Sequence, residues 1–419
     1  MRKARPGDAA VTGTGLATAL GFGAEATWAS LLAGRTGARA VEVESAPKAT
    51  RFAARVEEPH LRGLVPEELA GQAKFLNVAG QLAASVASEA AQVAHVAAAG
   101  RSPETKGLFV AQIDLAAAAL TDYRPAVIEA TERFARPVVA EAVNAATLKL
   151  VNPSYLLGTL NNNSFSFIAA AHGLMGANTS LSGWSSSGLL AISLAARAIG
   201  RGDATLALAV GAGNFEPRVV RHEFAALGLS GSGSFAPMDR RRDGIVPGQA
   251  AGALVLESLA SARARGASCA AVVLGHGAAA GADGRVSTDA LRRAMADAMA
   301  EAEVTREDLL GIVVPADGSL EGDRAVLEAV RDVGAPVVSW RGAMGAAGVG
   351  SDVAEAALAV RALVDGVLPG TPRFAVVEAG FESVHVAASP VRGAGGAVLL
   401  LAAGLEGQAA ALVLGRVAT

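Results

Sequence analysis

A turn rich in small residues, Gly183-Trp-Ser-Ser-Ser-Gly188, holds the hydroxyl with the clearest potential for covalent chemistry, that of Ser185. A serine attacks an ester or thioester only when an adjacent base removes its proton. The turn lacks the Gly-x-Ser-x-Gly spacing of a nucleophile elbow. No base can be assigned among the histidines, which are His60, His95, His172, His222, His276 and His385. We interpret His172, close to the turn in sequence, as structural.

A cysteine and a glycine-rich loop could also carry chemistry, but their context argues against a nucleophile and against a dinucleotide-binding loop. The single cysteine, Cys269, lies in the apolar run Ser268-Cys-Ala-Ala-Val-Val-Leu274, which predicts a buried strand and a small core side chain. The loop Gly13-Thr-Gly-Leu-Ala-Thr18 has threonine where a dinucleotide-binding GxGxxG loop requires its third glycine. We therefore predict no cofactor and no metal site.

Charge and hydropathy exclude two classes of partner. The 36 basic and 39 acidic residues give a formal net charge of -3, which provides no cationic field for nucleic acid. The longest apolar stretches, residues 396–404 and 409–414, fall well short of the ~20 residues that span a bilayer. The first seven residues carry charge but no following apolar region, so we expect a soluble, cytoplasmic protein that binds neither nucleic acid nor membrane.

The elements that must position Ser185 alternate along the chain. Short apolar runs alternate with Ala-rich stretches of helical length, which is typical of a layered α/β fold. Strands are predicted at residues 9–13, 108–112, 178–182, 206–211, 252–257, 270–275, 311–314, 336–339, 374–378, 384–388 and 398–401. Helices are predicted at residues 78–98, 188–200, 287–303 and 352–365. The last two interleave charged and apolar residues, which predicts half-exposed helices.

The second half of the chain loosely repeats the order of strands and helices of the first. The Arg-rich stretch Ala262-Arg-Ala-Arg-Gly266 separates the two sets of elements. We therefore predict an internal duplication, with one half over residues 1–265 and the other over residues 266–419.

Four motifs resemble those of β-ketoacyl-ACP synthases and together cover nearly the whole chain. The opening Val11-Thr-Gly-Thr-Gly-Leu-Ala-Thr-Ala-Leu-Gly21 is similar to VTGxGxxxxxG, and Pro237-Met-Asp-Arg-Arg-Arg-Asp-Gly-Ile-Val-Pro-Gly-Gln-Ala-Ala-Gly252 to the long PFDxxRDGFVxGEGAG. Gly345-Ala-Ala-Gly348 resembles the GAAG of GHxxGAAG, and Gly393-Ala-Gly-Gly396 a GFGG motif. The resemblance implies a thiolase-like fold: two pseudo-duplicated halves in a five-layer αβαβα arrangement, dimeric through the inner sheets.

The catalytic Cys-His-His set of these synthases is missing at the matching positions. Residues 162–188 match, without a gap, the ketosynthase stretch that ends in TACxSG, which places Ser185 where the family has cysteine. Residues 317–323 resemble HGTGTxxGD but are two residues shorter, and Asp317 stands for the first histidine. Gly342 or Ala343, depending on one gap, stands for the second. Gln249 replaces the glutamate of GEGAG, and the lysine of KSxxGH and the phenylalanine of GFGG are also lost. Condensation requires a thiolate and preorganised donors for an enolate oxygen. We predict no catalytic residue and no independent catalysis by this chain, which would act as part of a synthase complex.

Family members that keep the fold but lose the nucleophile are chain-length factors of type II polyketide synthases. The resemblance implies a non-condensing subunit that pairs with an active ketosynthase, meets an acyl carrier protein transiently and shapes the acyl tunnel of a polyketide or polyene synthase. By the same analogy Asp114, Leu115, Tyr123 and Asn162 belong to the tunnel or interface. Residues 151–162 are also similar to ketosynthase-like subunits of aryl-polyene systems.

Two alternative functions stay open on sequence grounds. One is a Ser185-dependent acyltransferase or thioester hydrolase on a ketosynthase fold. The other is a carrier-protein-binding scaffold or homodimeric relic without influence on chain length. Substitution of Ser185 by alanine distinguishes the first alternative from the partner subunit.

Overall fold

The structure is a computed structural model that describes residues 1–41, 52–56, 61, 63–114, 123–215, 227, 229–231, 233, 236–282 and 285–417. Its strands are β1 (Ala9–Thr18), β2 (Gly21–Phe22), β3 (Ala38–Ala40), β4 (Phe52–Ala54), β5 (Lys106–Asp114), β6 (Asn178–Leu181), β7 (Leu206–Asn214), β8 (Gln249–Ser258), β9 (Ala271–Ala280), β10 (Leu309–Val313), β11 (Val337–Val338), β12 (Val367–Leu368), β13 (Val391–Arg392), β14 (Ala397–Ala403) and β15 (Gln408–Gly415).

The helices lie between these strands. They are α1 (Ala24–Leu32), α2 (Glu67–Ala70), α3 (Val78–Val93), α4 (Arg124–Ala130), α5 (Ala140–Leu150), α6 (Tyr155–Thr159), α7 (Asn162–His172), α8 (Ser187–Arg201), α9 (Leu259–Ala264), α10 (Thr288–Ala302), α11 (Leu320–Val330), α12 (Arg341–Met344) and α13 (Val349–Asp365). Among the described residues, no helix combines the length and the apolar character needed to cross a membrane.

The main sheet has 11 strands: two sets of five with the same topology, and β2, which pairs with β1. One set has the order β6-β5-β7-β8-β1, and the other has the order β11-β10-β14-β15-β9. In both sets the first three strands of that order are parallel to one another, and the last two are antiparallel to their neighbours. The sets join where β1 pairs with β9. The strands of the first set end at Ser258, and those of the second begin at Ala271. The division into duplicated halves at residues 265/266 stays a prediction.

Helices cover both faces of each set and form a shared central layer. Helix α3 packs on β1, β7 and β8, whereas α10 packs on β9 and β15. Helices α8 and α13 pack on each other and contact strands of both sets. Three clusters of buried apolar side chains correspond to these three helical layers. The order of layers is therefore helix, sheet, helix, sheet, helix.

The central helix α13 corrects one sequence-based expectation. Its charged residues predict a half-exposed helix, but nearly all of its side chains are buried because it lies between the two sets of strands. Glycines permit this close packing: a Cβ on Gly213 would lie 1.7 Å from the carbonyl oxygen of Ala347, just before the helix. The buried acidic residues of α13 therefore need partners inside the protein.

Two predicted strands are wrong, and six strands were not predicted: the long strand β15 and the strands of two or three residues, β2, β3, β4, β12 and β13. Residues 374–378 form only an isolated bridge, because the backbone N–H groups of Ala375 and Val376 donate to the carboxylate of Asp239. Residues 384–388 form an isolated bridge to β11. Strand β15 was read only as an apolar stretch. The other nine strands and all four helices are present, with bounds shifted by a few residues.

Candidate functional site

A cavity of about 650 Å³ lies where the amino terminus of α8 faces the second set of strands. Its wall combines the turn before α8, the loop after β10, the starts of α11 and α12, and the β14–β15 turn. Most of the lining is apolar, with Trp184, Phe215, Leu229, Ile245 and Val326 among its side chains. Polar side chains at the wall are those of Ser185, Arg285, Asp317, Ser319, Glu321 and Arg341. The cavity thus brings together two of the positions singled out in the sequence, Ser185 and Asp317.

Ser185 is held in place by a buried carboxylate. Its side chain is only 4% exposed, and Oγ donates a hydrogen bond of 2.8 Å to Asp352 Oδ1. The same oxygen of Asp352 accepts 2.8 Å from Arg341 Nη2. That carboxylate oxygen is therefore shared between the guanidinium and the hydroxyl. The contact holds the serine hydroxyl in a fixed orientation.

The residue after Ser185 carries backbone strain. Ser186 has φ 67°, and its fully buried Oγ has no hydrogen-bond partner among the described residues. Non-glycine residues rarely adopt positive φ, and such residues concentrate at functional turns. The turn thus keeps a constrained geometry at the start of α8.

Arg341 forms the centre of a buried ion cluster behind the cavity wall. Its Nε donates to Glu355 Oε1 at 3.1 Å, and its Nη2 donates to both Asp352 and Glu355. Asp352 and Glu355 lie one turn apart on α13, so both face the same side of that helix. All three side chains are 4% exposed or less.

Burial dominates the ionisation of this cluster. It raises the pKa of Glu355 to about 7 and also raises the pKa of Asp352, although Arg341 attracts both carboxylates. For Arg341, burial alone would lower the pKa, but the carboxylates of Glu355 and Asp352 outweigh it and the pKa is raised. Arg341 is therefore cationic, and its presence is what permits two carboxylates at this depth.

Asp317 closes a tight turn at the cavity wall. Its Oδ1 accepts from the backbone N–H of Ser319 at 3.0 Å and from Ser319 Oγ at 2.7 Å. Its own N–H donates to Asp323, which also accepts from the N–H groups of Gly318 and Met238. Burial raises the pKa of Asp323, while these N–H donors and Arg242 oppose the rise. Asp323 therefore fixes the loop that carries Asp317.

The positions matched to the second histidine do not face the cavity. Gly342 and Ala343 are buried in the short helix α12 and are absent from the described lining, whereas the preceding residue, Arg341, is part of it. None of the four histidines that the structure describes lines the cavity. His172 is bound to Ser88 Oγ through Nε2 at 3.1 Å, and burial lowers its pKa to about 4. His276 contacts Glu301 at 2.7 Å.

Gln249 belongs to a second buried polar chain, away from the cavity. Its Oε1 accepts from the N–H of Val56, and its Nε2 donates 3.1 Å to Asn214 Oδ1. Asn214 in turn donates to the carboxylate of Asp114, which also accepts from the N–H of Ala79. Gln249 and Asp114 are 8% and 6% exposed. This series of hydrogen bonds connects the ends of β5 and β7 to the starts of β8 and α3.

The remaining tunnel candidates lie along the segment between β5 and β6. Tyr123 packs edge-on against Tyr155 with ring centroids 5.1 Å apart, and Asn162 is an exposed residue at the start of α7. Leu115 lies outside the described residues. The structure therefore does not bring the tunnel candidates together around one cavity within the part of the chain that it describes.

Sequence reasoning missed Arg341, Asp352 and Glu355. The sequence did contain a signal: an arginine beside the GAAG-like motif, and two acidic residues three positions apart on a helix that is otherwise apolar. An isolated charge in an apolar context usually has a partner when it is buried. Within the described residues, no group of histidine, cysteine and acidic side chains could hold a metal ion.

This site differs chemically from that of a condensing enzyme. The described lining presents hydroxyl, carboxylate and guanidinium groups but no thiol, whereas thioester formation by a condensing enzyme calls for a thiolate. Asp317 would repel an enolate formed beside it. The described lining contains no histidine, the usual base for a serine nucleophile.

Comparison with known proteins places the chain in a family. Residues 8–262, more than half of the chain, match the β-ketoacyl synthase N-terminal domain. The chain therefore belongs to the β-ketoacyl synthase family. It is 31% identical over 289 residues to 3-oxoacyl-[acyl-carrier-protein] synthase 2 of Rhizobium meliloti, covering 64% of this chain and 63% of that protein.

Polyketide synthase subunits are also among the relatives. The chain is 29% identical over 390 residues to the tetracenomycin polyketide synthase ketoacyl synthase alpha subunit of Streptomyces glaucescens, covering 87% of this chain and 86% of that protein. Two β-ketoacyl synthase 2 proteins of Streptomyces polyketide systems are each 34% identical. The chain spans about half of the length of these two, 45% and 44%.

Solved structures confirm the expected thiolase-like ketosynthase fold. The ishigamide ketosynthase/chain length factor has a TM-score of 0.84 at 23% identity, covering 98% of this chain and 99% of that chain. A type II polyketide ketosynthase solved with its acyl-carrier protein and a hexaketide has a TM-score of 0.83 at 20% identity, covering 99% and 100%. A β-ketoacyl synthase from Burkholderia phymatum has a TM-score of 0.81 at 22% identity, covering 98% and 100%.

Proposed function

We propose that this chain is a non-condensing subunit of a type II polyketide or polyene synthase, similar in role to a chain-length factor. The observation that carries the proposal is the composition of the cavity at α8, which is lined by Ser185, bound to Asp352, and by Asp317. The motifs match Ser185 to the family's nucleophile and Asp317 to its first histidine. Such a wall retains shape but lacks the groups that condensation uses. The active ketosynthase partner supplies that chemistry.

The edge of the sheet supports an interface with such a partner. Strand β6 is the last strand in its set and, among the described strands, pairs only with β5. The chain that connects these two strands forms a helical segment with large apolar side chains at the surface: Phe134, Val138, Val139, Leu148, Leu157 and Leu160. An unpaired sheet edge and large exposed apolar side chains are features that proteins cover by association.

The stable partner in this proposal is an active ketosynthase, and an acyl carrier protein binds transiently. Solved relatives support both, since one is a ketosynthase/chain length factor and another is a ketosynthase in complex with an acyl-carrier protein. The proposed tunnel involves Asp114, Leu115, Tyr123 and Asn162. Asp114 is held by Ala79 and Asn214, so its contribution is to fix the end of β5.

Replacing Ser185 with alanine is expected to leave product formation within about twofold of wild type. The assay uses a reconstituted system: this chain co-expressed with the cysteine-bearing ketosynthase of the same gene neighbourhood, a carrier protein and a malonyl donor. Alanine removes the hydroxyl but keeps the small side chain at the turn, so the cavity wall and the complex persist. The measurement is the amount and the length of the product by mass spectrometry.

The matched control replaces the catalytic cysteine of the ketosynthase with alanine, which should abolish the product. Loss of product in Ser185→Ala, with an intact 1:1 complex, would support the alternative acyltransferase or hydrolase function. A chain that forms no complex with the ketosynthase would contradict the proposal.

A further inference from the structure

A second cavity, of about 250 Å³, lies at the opposite end of α8 from Ser185. Helix α8 has 15 residues, so its two ends are about 20 Å apart. The wall of this cavity combines the C-terminal end of α8, the segment before β1, the first half of β9 and the end of α10. Among the residues that the structure describes, the two cavities share no lining residue. The second cavity is therefore separate from the site at the start of α8.

The C-terminal end of α8 presents two arginines to this cavity. Arg197 and Arg201 are four residues apart on the helix, so their side chains project from the same face. Both are exposed, and neither makes a hydrogen bond or an ion pair with a residue that the structure describes. Like charges at this spacing repel each other. An anion that accepts from both guanidinium groups would replace this repulsion by attraction.

A glycine, Gly200, lies beside these arginines on the same face of α8. A Cβ at Gly200 would meet no other atom of the described chain within 4 Å, and the same holds for Gly7 in the segment before β1. Gly200 does not adopt a positive φ, so its backbone would accept alanine, which is the better helix former. Packing within this chain therefore does not require the glycine. Its effect is to leave a recess next to the two guanidinium groups.

The two carboxylates at the cavity wall are already bound by other groups. Asp8 accepts from Arg2 Nη1 at 2.7 Å and from Nη2 at 3.1 Å. Glu301 accepts from the backbone N–H of His276 at 2.8 Å and lies 2.7 Å from Nδ1 of the same residue. Three arginines and two carboxylates line the cavity, so its described wall is cationic even when His276 is neutral. The carbonyl end of α8 opposes an anion with only about half an elementary charge, less than the charge of either arginine on that helix.

The size and composition of the wall restrict the class of anion. A volume of about 250 Å³ is smaller than the ~300–1,000 Å³ of sites for drug-sized ligands. No Phe, Tyr or Trp is present in the described lining to stack on a nucleobase. A phosphate monoester has three terminal oxygens and about two negative charges, enough to accept from both arginines at once. A carboxylate has two oxygens and one charge, so it would satisfy the two guanidinium groups less completely.

We propose that this cavity binds phosphate, as the free ion or as the phosphoryl group of a small monoester. The guanidinium groups of Arg197 and Arg201 donate to the phosphoryl oxygens. The missing side chain at Gly200 gives the phosphoryl group room beside them. Binding forms no covalent bond. The site lies within this chain and needs no ketosynthase, so its test is independent of the proposed function.

Titration calorimetry of the purified full-length chain, in a chloride buffer of constant ionic strength, tests this site. The probes are inorganic phosphate, glycerol 3-phosphate and succinate. At least one phosphate probe is expected to bind saturably, with a dissociation constant at least tenfold lower than that of succinate. Tighter binding of glycerol 3-phosphate would assign the site to a phosphorylated small molecule, and tighter binding of inorganic phosphate would assign it to the free ion.

Three variants test the assigned residues. Arg197→Gln and Arg201→Gln should each weaken binding of the tighter phosphate probe at least fivefold, and both should fold because these side chains are exposed and bond no described residue. Gly200→Ala should keep or raise the melting temperature, since alanine favours the helix. It should nevertheless weaken phosphate binding at least fivefold, because the methyl group fills the recess.

The matched controls are an arginine and a glycine outside this cavity. Arg35→Gln removes an exposed arginine that lines neither cavity. Gly158→Ala changes a glycine of α6 whose Cβ would also meet nothing within 4 Å. Both should leave the affinity for phosphate within twofold of wild type.

Three results would overturn the proposal. These are an absence of saturable binding of both phosphate probes at millimolar concentration, succinate binding as tight as that of phosphate, and wild-type phosphate affinity in the folded arginine variants. Circular dichroism checks the folding of each variant. If an arginine variant fails to fold, Gly200→Ala decides, and wild-type phosphate affinity in that variant contradicts the proposed recess.

Discussion

Replacing Arg341 with methionine is expected to lower the free energy of unfolding by about 3–5 kcal/mol. The variant leaves Asp352 and Glu355 buried without a cation, and it also disturbs the carboxylate that accepts from Ser185. Removal of one partner from a buried ion pair costs this much because the remaining charges can be relieved only by protonation. Urea denaturation followed by circular dichroism measures the loss.

The loss of unfolding free energy in Arg341→Met should increase as the pH rises. Burial already raises the pKa of Glu355 to about 7 in the native protein, and without Arg341 it rises further. A carboxyl group with a raised pKa favours the folded state at low pH and loses that contribution as pH rises through the folded pKa. The free energy of unfolding of Arg341→Met should therefore lie closer to that of the wild type at pH 5.5 than at pH 8.

An exposed arginine serves as the control for this prediction. Arg361 pairs with Asp365 and Glu25, and its side chain is 33% exposed. Arg361→Met should cost less than about 1 kcal/mol. A wild-type free energy of unfolding in Arg341→Met at pH 8 would contradict the role assigned to the ion cluster.

The double substitution Phe134→Asp and Leu148→Asp is expected to weaken the complex with the active ketosynthase at least 100-fold. The two side chains are 68% and 89% exposed, so the isolated chain gains little stability from them. In a complex, each would bury apolar surface worth roughly 1.5–3 kcal/mol, and a buried carboxylate would add a penalty. Analytical ultracentrifugation and surface plasmon resonance measure the affinity.

Val364→Asp is the matched control for the interface. Val364 is 58% exposed near the end of α13, far along the chain from the β5–β6 segment. It should leave the affinity within twofold of wild type. If the double variant binds the ketosynthase as tightly as the wild type does, the apolar segment is not the interface.

Much of the fold was predictable because its signals are local. Apolar runs identify strands such as β5 and β7, and the ketosynthase-like motifs set the register over the whole chain. The predicted strands at residues 374–378 and 384–388 are wrong because their backbone groups bond to distant partners instead of forming a full strand. These partners are the carboxylate of Asp239 for the first segment and β11 for the second. Apolar composition alone cannot reveal such competition.

The site was predictable only where a motif marks a position. The register placed Ser185 and Asp317, and the structure brings both to one cavity. Arg341 was not predicted, because its role depends on a contact between residues far apart in sequence. It bonds Asp352, which accepts from Ser185, 167 residues away along the chain. The burial of Asp352 and Glu355 follows from the position of α13 between the two sets of strands, which hydrophobic periodicity on a single helix does not show.

The most direct test of the non-condensing function is the mass of each intact subunit after incubation with an acyl donor and carrier protein. In the complex, the cysteine-bearing ketosynthase should gain the mass of one acyl group, and this chain should keep its unmodified mass. An acyl adduct on this chain that disappears in Ser185→Ala would contradict the account.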